Sequence, residues 1–173
     1  MIRFDKYVLV NNRRKFIRCD VISCLEVIEL LQKNTPKDLG KAVALFYREP
    51  IVDIEKALEA MIGFLYKKLD CFEHEKGKKV LDFSKDFDAI FTAIYRVYHI
   101  DITEQPIHWW KFLLMIGDIS DEPILVHRIK IRGMKLSDIK DPKQRSEIAK
   151  EQSRIRLEEK LSLEERNKKW TGG

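Results

Sequence analysis

Glycine and proline are scarce in this chain, with 7 and 5 copies among 173 residues. That excludes a collagen-like, linker-like or loop-dominated protein and favours helices. Cysteine is scarcer still: Cys19, Cys24 and Cys71 are an odd set with no C-x-x-C pair. Neither a disulfide framework nor a cysteine-rich zinc cage can be built from them. Buried, reduced thiols are the simpler reading. No apolar run approaches the roughly 20 residues that cross a bilayer, and the start, Met1-Ile2-Arg3-Phe4-Asp5-Lys6, lacks the apolar stretch of a secretory signal. The expectation is a cytosolic protein with no membrane contact.

The glycines stand singly except for Gly172-Gly173, so neither a phosphate-cradling loop nor a dinucleotide fingerprint can form, and no G-x-S-x-G elbow exists. The four histidines, His74, His99, His108 and His127, have no histidine or cysteine four residues away, so no local metal site is written. Cys71 and His74 form the one close Cys/His pair, and they span a helix end and a charged loop with no orienting group. Asp82, Asp86 and Asp88 can be read as a cation site, or as acidic residues at a helix start, where they complement the macrodipole and fill free amides. The second reading is preferred. No catalytic, cofactor-binding or metal residue is assigned, and an enzyme is not expected.

What is present is an apolar fraction of 45%, enough for a core. Tyr7-Val8-Leu9-Val10 and Lys15-Phe16-Ile17-Arg18, separated by the turn formers Asn11-Asn12, predict a hairpin. Asp20 then caps a helix with Val21, Cys24, Leu25, Ile28 and Leu31 on one face, ending near Asn34. Thr35-Pro36 restarts a second helix with Leu39, Val43 and Phe46 inward, broken by Pro50. Asp53 caps a third, with Ile54, Ala57, Leu58, Met61, Phe64 and Leu65 as a continuous inner face. Glu73–Lys79 reads as a charged surface loop. Asp82 or Ser84 caps a fourth helix, with Phe87, Ile90, Phe91, Ile94 and Tyr98 in register and His99 at its end. Asp101-Ile102-Thr103 leads to a fifth helix, with Pro106 early in it or just before it.

That fifth helix, with Trp109, Phe112, Leu113 and Ile116 on one face and Ile107, Trp110 and Leu114 on another, is apolar most of the way round and belongs in the core, with Gly117 as its cap. Core packing is the expectation for Trp109, while Trp110 is open to a partner. Ile124, Leu125, Arg128 and Ile131 predict a sixth helix. Asp141-Pro142 opens a last one, running to about Lys168 with few apolar residues, so that it projects or awaits a partner.

Charge is uneven along the chain. From His127 onward 14 Lys and Arg face 8 Asp and Glu, while the preceding residues are near neutral. Arg145, Lys150, Arg154, Arg156 and Lys160 invite nucleic-acid binding. Glu147, Glu151, Glu158 and Glu159 interleave with them in the lattice of a solvated helix, with no aromatic until Trp170, and that reading is preferred.

Asp82-Phe83 and Asp86 followed by Ile90 and Ala93, then Ile100-Asp101-Ile102, His108-Trp109-Trp110-Lys111-Phe112, Arg132, Leu136-Ser137-Asp138-Ile139-Lys140-Asp141 and Arg145 together resemble the bacteriophage gp-fifteen family of phages and prophages. The resemblance covers most of the chain, is strongest from Val80 to Arg145 and weak before Gln32. His99 stands where the family pattern leads one to expect glycine. The resemblance implies a tail-assembly chaperone: a non-enzymatic protein of the host cytoplasm, not part of the mature virion. Such a protein would bind and solubilise the tape-measure protein and recruit the major tail protein.

The combined expectation is a mainly α chain. Residues 1–19 form a hairpin, 20–140 a helical body, and 141–173 a basic, polar amphipathic helix. Trp110, Ile148, Ile155, Leu157 and Leu161 are its candidate protein-interaction residues, a homo-oligomer is a further possibility, and nucleic-acid binding through the C-terminal helix is the alternative.

Overall fold

A computed structural model describes residues 4–66, 73–74, 78–119 and 122–157. It is mainly helical with a small N-terminal hairpin, as the periodicities predict. Strands β1 (Tyr7–Val10) and β2 (Arg13–Phe16) pair antiparallel, Tyr7 opposite Phe16 and Val10 opposite Arg13. Asn11 and Asn12 both take positive φ, 50° and 59°, as a two-residue hairpin turn requires. The return strand starts two residues earlier than predicted, because the two-residue turn sets Arg13 directly opposite Val10, and beyond Phe16 the chain bridges Tyr47 through Ile17.

Helices α1 (Val21–Lys33), α2 (Pro36–Phe46) and α3 (Ile54–Tyr66) follow. Their starts are local chemistry. Asp20, Thr35 and Asp53 each accept from the amide three residues on, in Ser23, Asp38 and Lys56. Glu73–His74 and Lys78–Lys79 form a two-residue antiparallel ladder, β3 and β4, where a loop was expected. Then come α4 (Phe87–Tyr98), α5 (Trp109–Asp118), α6 (Pro123–Gly133), a 3₁₀ turn at Leu136–Asp138, and α7 (Pro142–Arg154).

One apolar cluster takes side chains from the hairpin and α1 to α6, among them Ile17, Val27, Phe46, Met61, Ile90, Trp109, Phe112 and Leu125. Four expectations need correction. Ile54 is not inward but 44% exposed. Helix α5 begins only at Trp109, after Asp20 and His108 form a bridge that brings Ile107 and Trp109 against Cys19 and Val21. Gly117 lies inside the last turn of α5, and Ile119 is its cap. Helix α7 stops at Arg154, well short of Lys168. Ile155 leaves helical geometry (φ −103°, ψ 15°), and Arg132 takes its carbonyl.

Helix α4 ends as predicted at His99, whose φ of 55° is left-handed. Glycine reaches that conformation without a Cβ clash, which is the physical reason to expect glycine there. His99→Gly should therefore stabilise the protein by about 1 kcal/mol, read as a higher urea midpoint at unchanged slope. A lower midpoint would show that the imidazole holds a contact worth more than the backbone strain.

Candidate interaction site

The Trp109-Trp110 pair closes the C-terminal end of α3. The Trp109 indole N–H donates to Leu65 O at 2.9 Å, and that of Trp110 to Phe64 O at 2.9 Å. The last carbonyls of a helix have no partner within it, so two indoles on one neighbouring element satisfy two of them. Trp109 is fully buried, while Trp110 is half-buried and stacks on Phe64 with ring centroids 4.7 Å apart. His108 completes the joint. Its Nδ1 accepts the Trp110 amide at 3.1 Å and so caps α5, and its Nε2 therefore carries the proton and donates to Asp5 O at 2.9 Å.

Of the three acids read as a helix start, Asp82 and Asp88 sit as expected at the beginning of α4, while Asp86 is the centre of an ion-pair hub. Asp86 is fully buried. Its Oδ2 accepts Arg132 Nη1 at 2.6 Å and the Asp82 amide at 3.0 Å. Its Oδ1 accepts Arg132 Nη2 at 2.9 Å and Arg128 Nη1 at 3.2 Å. Arg132 also donates to Val80 O and Ile155 O, and Arg128 holds Asp88 through two bonds of 2.8 and 2.9 Å. That pairing keeps the Asp88 carboxyl below the usual carboxylate range, through the hydrogen bonds from Arg128 first. Asp82 caps the turn before α4, accepting from Ser84 and Lys85. Asp86 sits at the cap position of α4 but makes no capping bond. Among the described residues, no group of three or more His, Cys, Asp or Glu is placed to hold a metal ion. Cys71 lies outside the described residues, as does the side chain of His74.

The candidate residues of the C-terminal region are placed as follows. Ile148 and Ile155 are half-buried. They share one side of α7 with Gln152, whose Nε2 donates to Ile131 O and Met134 O, both at 2.8 Å. The side assigned to a partner thus faces α6 of the same chain. Leu157 is half-buried, and Leu161 lies outside the described residues.

The open apolar surface is elsewhere. Ile54, Leu58, Ile62 and Tyr66 recur every four residues along α3, forming a ridge of about 18 Å at 1.5 Å per residue. Ile54, Ile62 and Tyr66 are 44%, 45% and 41% exposed, and Leu58 is half-buried. The inner face of the same helix holds Ala57, Met61, Phe64 and Leu65. The ridge was legible as apolar residues beyond those an inner face needs, a pattern recognised in α5 and overlooked in α3.

A mainly helical body with a hairpin, cross-braced by a buried Asp–Arg hub, defines the class. The chain belongs to the Bacteriophage Gp15 protein family, whose pattern matches residues 8–157. No curated protein and no solved structure matches it. No helix of the described residues is long and apolar enough to cross a membrane.

Two predictions follow from these joints. Arg132→Met leaves Asp86 buried against a single remaining guanidinium and should cost about 3–5 kcal/mol in urea unfolding. Arg132→Lys keeps the charge but loses the fork, and should cost less. For His108, burial pushes the imidazole below its ordinary value. The folded state then binds fewer protons than the unfolded one, so the contribution is complete above the unfolded value of about 6.5 and is lost as pH falls through the folded one. Stability of the wild type should drop on acidification below about pH 6.5 more steeply than that of His108→Asn, which keeps a capping acceptor but does not titrate.

Proposed function

We propose that this chain is a non-enzymatic tail-assembly chaperone that binds and solubilises the tape-measure protein in the host cytoplasm during siphophage tail morphogenesis, with the major tail protein as a second partner, and that it is not part of the mature virion. The observation that carries the reading is the ridge of exposed Ile54, Ile62 and Tyr66, with half-buried Leu58 between them, on a chain of a phage family. A ridge of side chains four apart fits the groove of a second helix. An amphipathic helix of the tape-measure chain is the assigned occupant, docked as helical targets dock on apolar surfaces. Trp110 supports the ridge from behind through Phe64. The C-terminal segment is tied to the body by Arg132 and Gln152, so Ile148 and Ile155 are not assigned to the docking surface.

The alternative, nucleic-acid binding through the basic C-terminal helix, has less support. Arg145 directs two donors at Ile139 O, and Arg154 lies 3.6 Å from Glu151. A duplex-binding role would show an affinity falling with a log–log salt slope of about −0.9 per phosphate contact.

Co-expression with the tape-measure protein should raise that protein's soluble yield and give a complex that co-purifies. Ile54→Glu with Ile62→Glu should abolish both while leaving the urea midpoint within about 0.5 kcal/mol of wild type, since both side chains lie at the surface. An unchanged yield with the wild-type chain would overturn the proposal, and full rescue by the double variant would remove the ridge from it.

A further inference from the structure

The hairpin carries a second exposed surface, separate from the α3 ridge. In the β1–β2 register, Tyr7 faces Phe16 and Leu9 faces Arg14. Side chains alternate across a strand, so these four share the outward facet, while Val10 is buried on the other side. Leu9 and Phe16 occupy opposite corners and are each 57% exposed. Along the other diagonal the Arg14 guanidinium lies over the Tyr7 ring, 4.8 Å from its centroid. A guanidinium held over a ring keeps further N–H donors, and such a group grips a carboxylate by two parallel bonds. By the same alternation Arg13, opposite buried Val10, belongs to the other face, so Arg14 is the cation of this facet. Of the nearby acids, Glu49 pairs with Lys15 at 3.2 Å and Asp53 accepts from Asn11 at 2.9 Å, while Asp5 is exposed and offers its backbone carbonyl to His108. Among the described residues, no carboxylate lies within ion-pair distance of Lys6, Arg13 or Arg14.

We infer that this facet is a docking site for an acidic, apolar segment of a partner protein, a carboxylate on Arg14 with an apolar side chain to either side on Leu9 and Phe16. Charge complementarity selects the occupant. A second copy of the facet would bring Arg14 against its own kind. A phosphate backbone would satisfy Arg14 but leave Leu9, an aliphatic chain, facing polar groups. A tyrosine and a stacked arginine between apolar neighbours have the composition of energetic centres in protein interfaces.

Fluorescence anisotropy with the full chain tests this. The probe is a fluorescein-labelled ten-residue peptide with a central glutamate flanked by leucine and phenylalanine. Its controls are the same peptide with glutamine and a 20-nucleotide DNA strand. The glutamate peptide should bind about tenfold more tightly than the glutamine peptide. Arg14→Leu should erase that difference, and Leu9→Ser with Phe16→Ser should weaken both peptides. All three positions are exposed, so unfolding midpoints should not move. The assignment is overturned if neither peptide binds, if glutamate and glutamine peptides bind equally, or if Arg14→Leu leaves the preference intact. It is equally overturned if DNA binds more tightly than the peptide in an Arg14-dependent manner, or if sedimentation reveals a dimer that Leu9→Ser with Phe16→Ser dissolves. None of these readouts involves the α3 ridge or the tape-measure protein, so failure here and failure of the chaperone reading are separable.

Discussion

Asp86 accepts four hydrogen bonds in a position water does not reach, and the C-terminal half is arranged around that fact. A carboxylate buried alone costs several kcal/mol, and a guanidinium does too. Together, with donors spread over both oxygens, they are tolerated only in one geometry. That geometry fixes the turn before α4, through the Asp82 amide, and the position of α6, through Arg128 and Arg132. It also anchors the end of α7, because Arg132 has a remaining donor for Ile155 O. Helix α7 has no buried residue of its own. A helix that buries so little is marginal by itself, so its order derives from Arg132 and from Gln152 on the carbonyls at the end of α6. One hub thus connects segments that apolar packing alone would hold weakly.

The Trp109-Trp110 pair does comparable work for the N-terminal half. Both indoles point at the end of α3, and the His108 side chain points back at Asp5, so α3, α5 and the segment leading into the hairpin share one joint. The joint is asymmetric in its sensitivity. Indole N–H donors do not titrate, whereas the acceptor role of His108 Nδ1 requires a neutral ring. Acid therefore loosens the start of α5 before it touches the tryptophan contacts. Both joints use donors and acceptors that a helix end leaves unsatisfied, so their partners are specified by geometry as well as by greasiness.

These joints also mark where sequence reading stops. Caps were legible: Asp20, Thr35, Asp53 and Asp141 each bond within three residues, so the sequence neighbourhood contains the whole interaction. The hairpin turn was legible for the same reason, since Asn11 and Asn12 tolerate the required φ. Asp86 was visible as an acid near a helix start, but its partners are 42 and 46 positions away. Local spacing favours a cap whenever an acid precedes a helix, and nothing in the periodicity separates a cap from a hub. The early end of α7 was hidden likewise: from Pro142 to Lys168 no residue breaks a helix, and the stop at Arg154 comes from Arg132 capturing the Ile155 carbonyl. The α3 ridge was misread because the inner face was drawn through Ile54, when the buried set begins at Ala57.

The exposed residues gain meaning from this rigidity. Scattered surface hydrophobics are ordinary, but three exposed ones lie in a row on one helix and two share one hairpin facet. Both sit on elements whose far sides are locked: α3 by its packed inner face and the indoles at its end, the hairpin by its bridge to Tyr47 and its Asn11–Asp53 bond. A surface held this way does not have to order itself when something docks, so little of the binding energy is lost to immobilisation. The two surfaces also differ in chemistry, one purely apolar apart from a phenol, the other apolar around a cation. A single apolar helix satisfies the first and leaves Arg14 unanswered. On the proposed reading, the hairpin facet is met either by a second segment of the same partner or by a different partner.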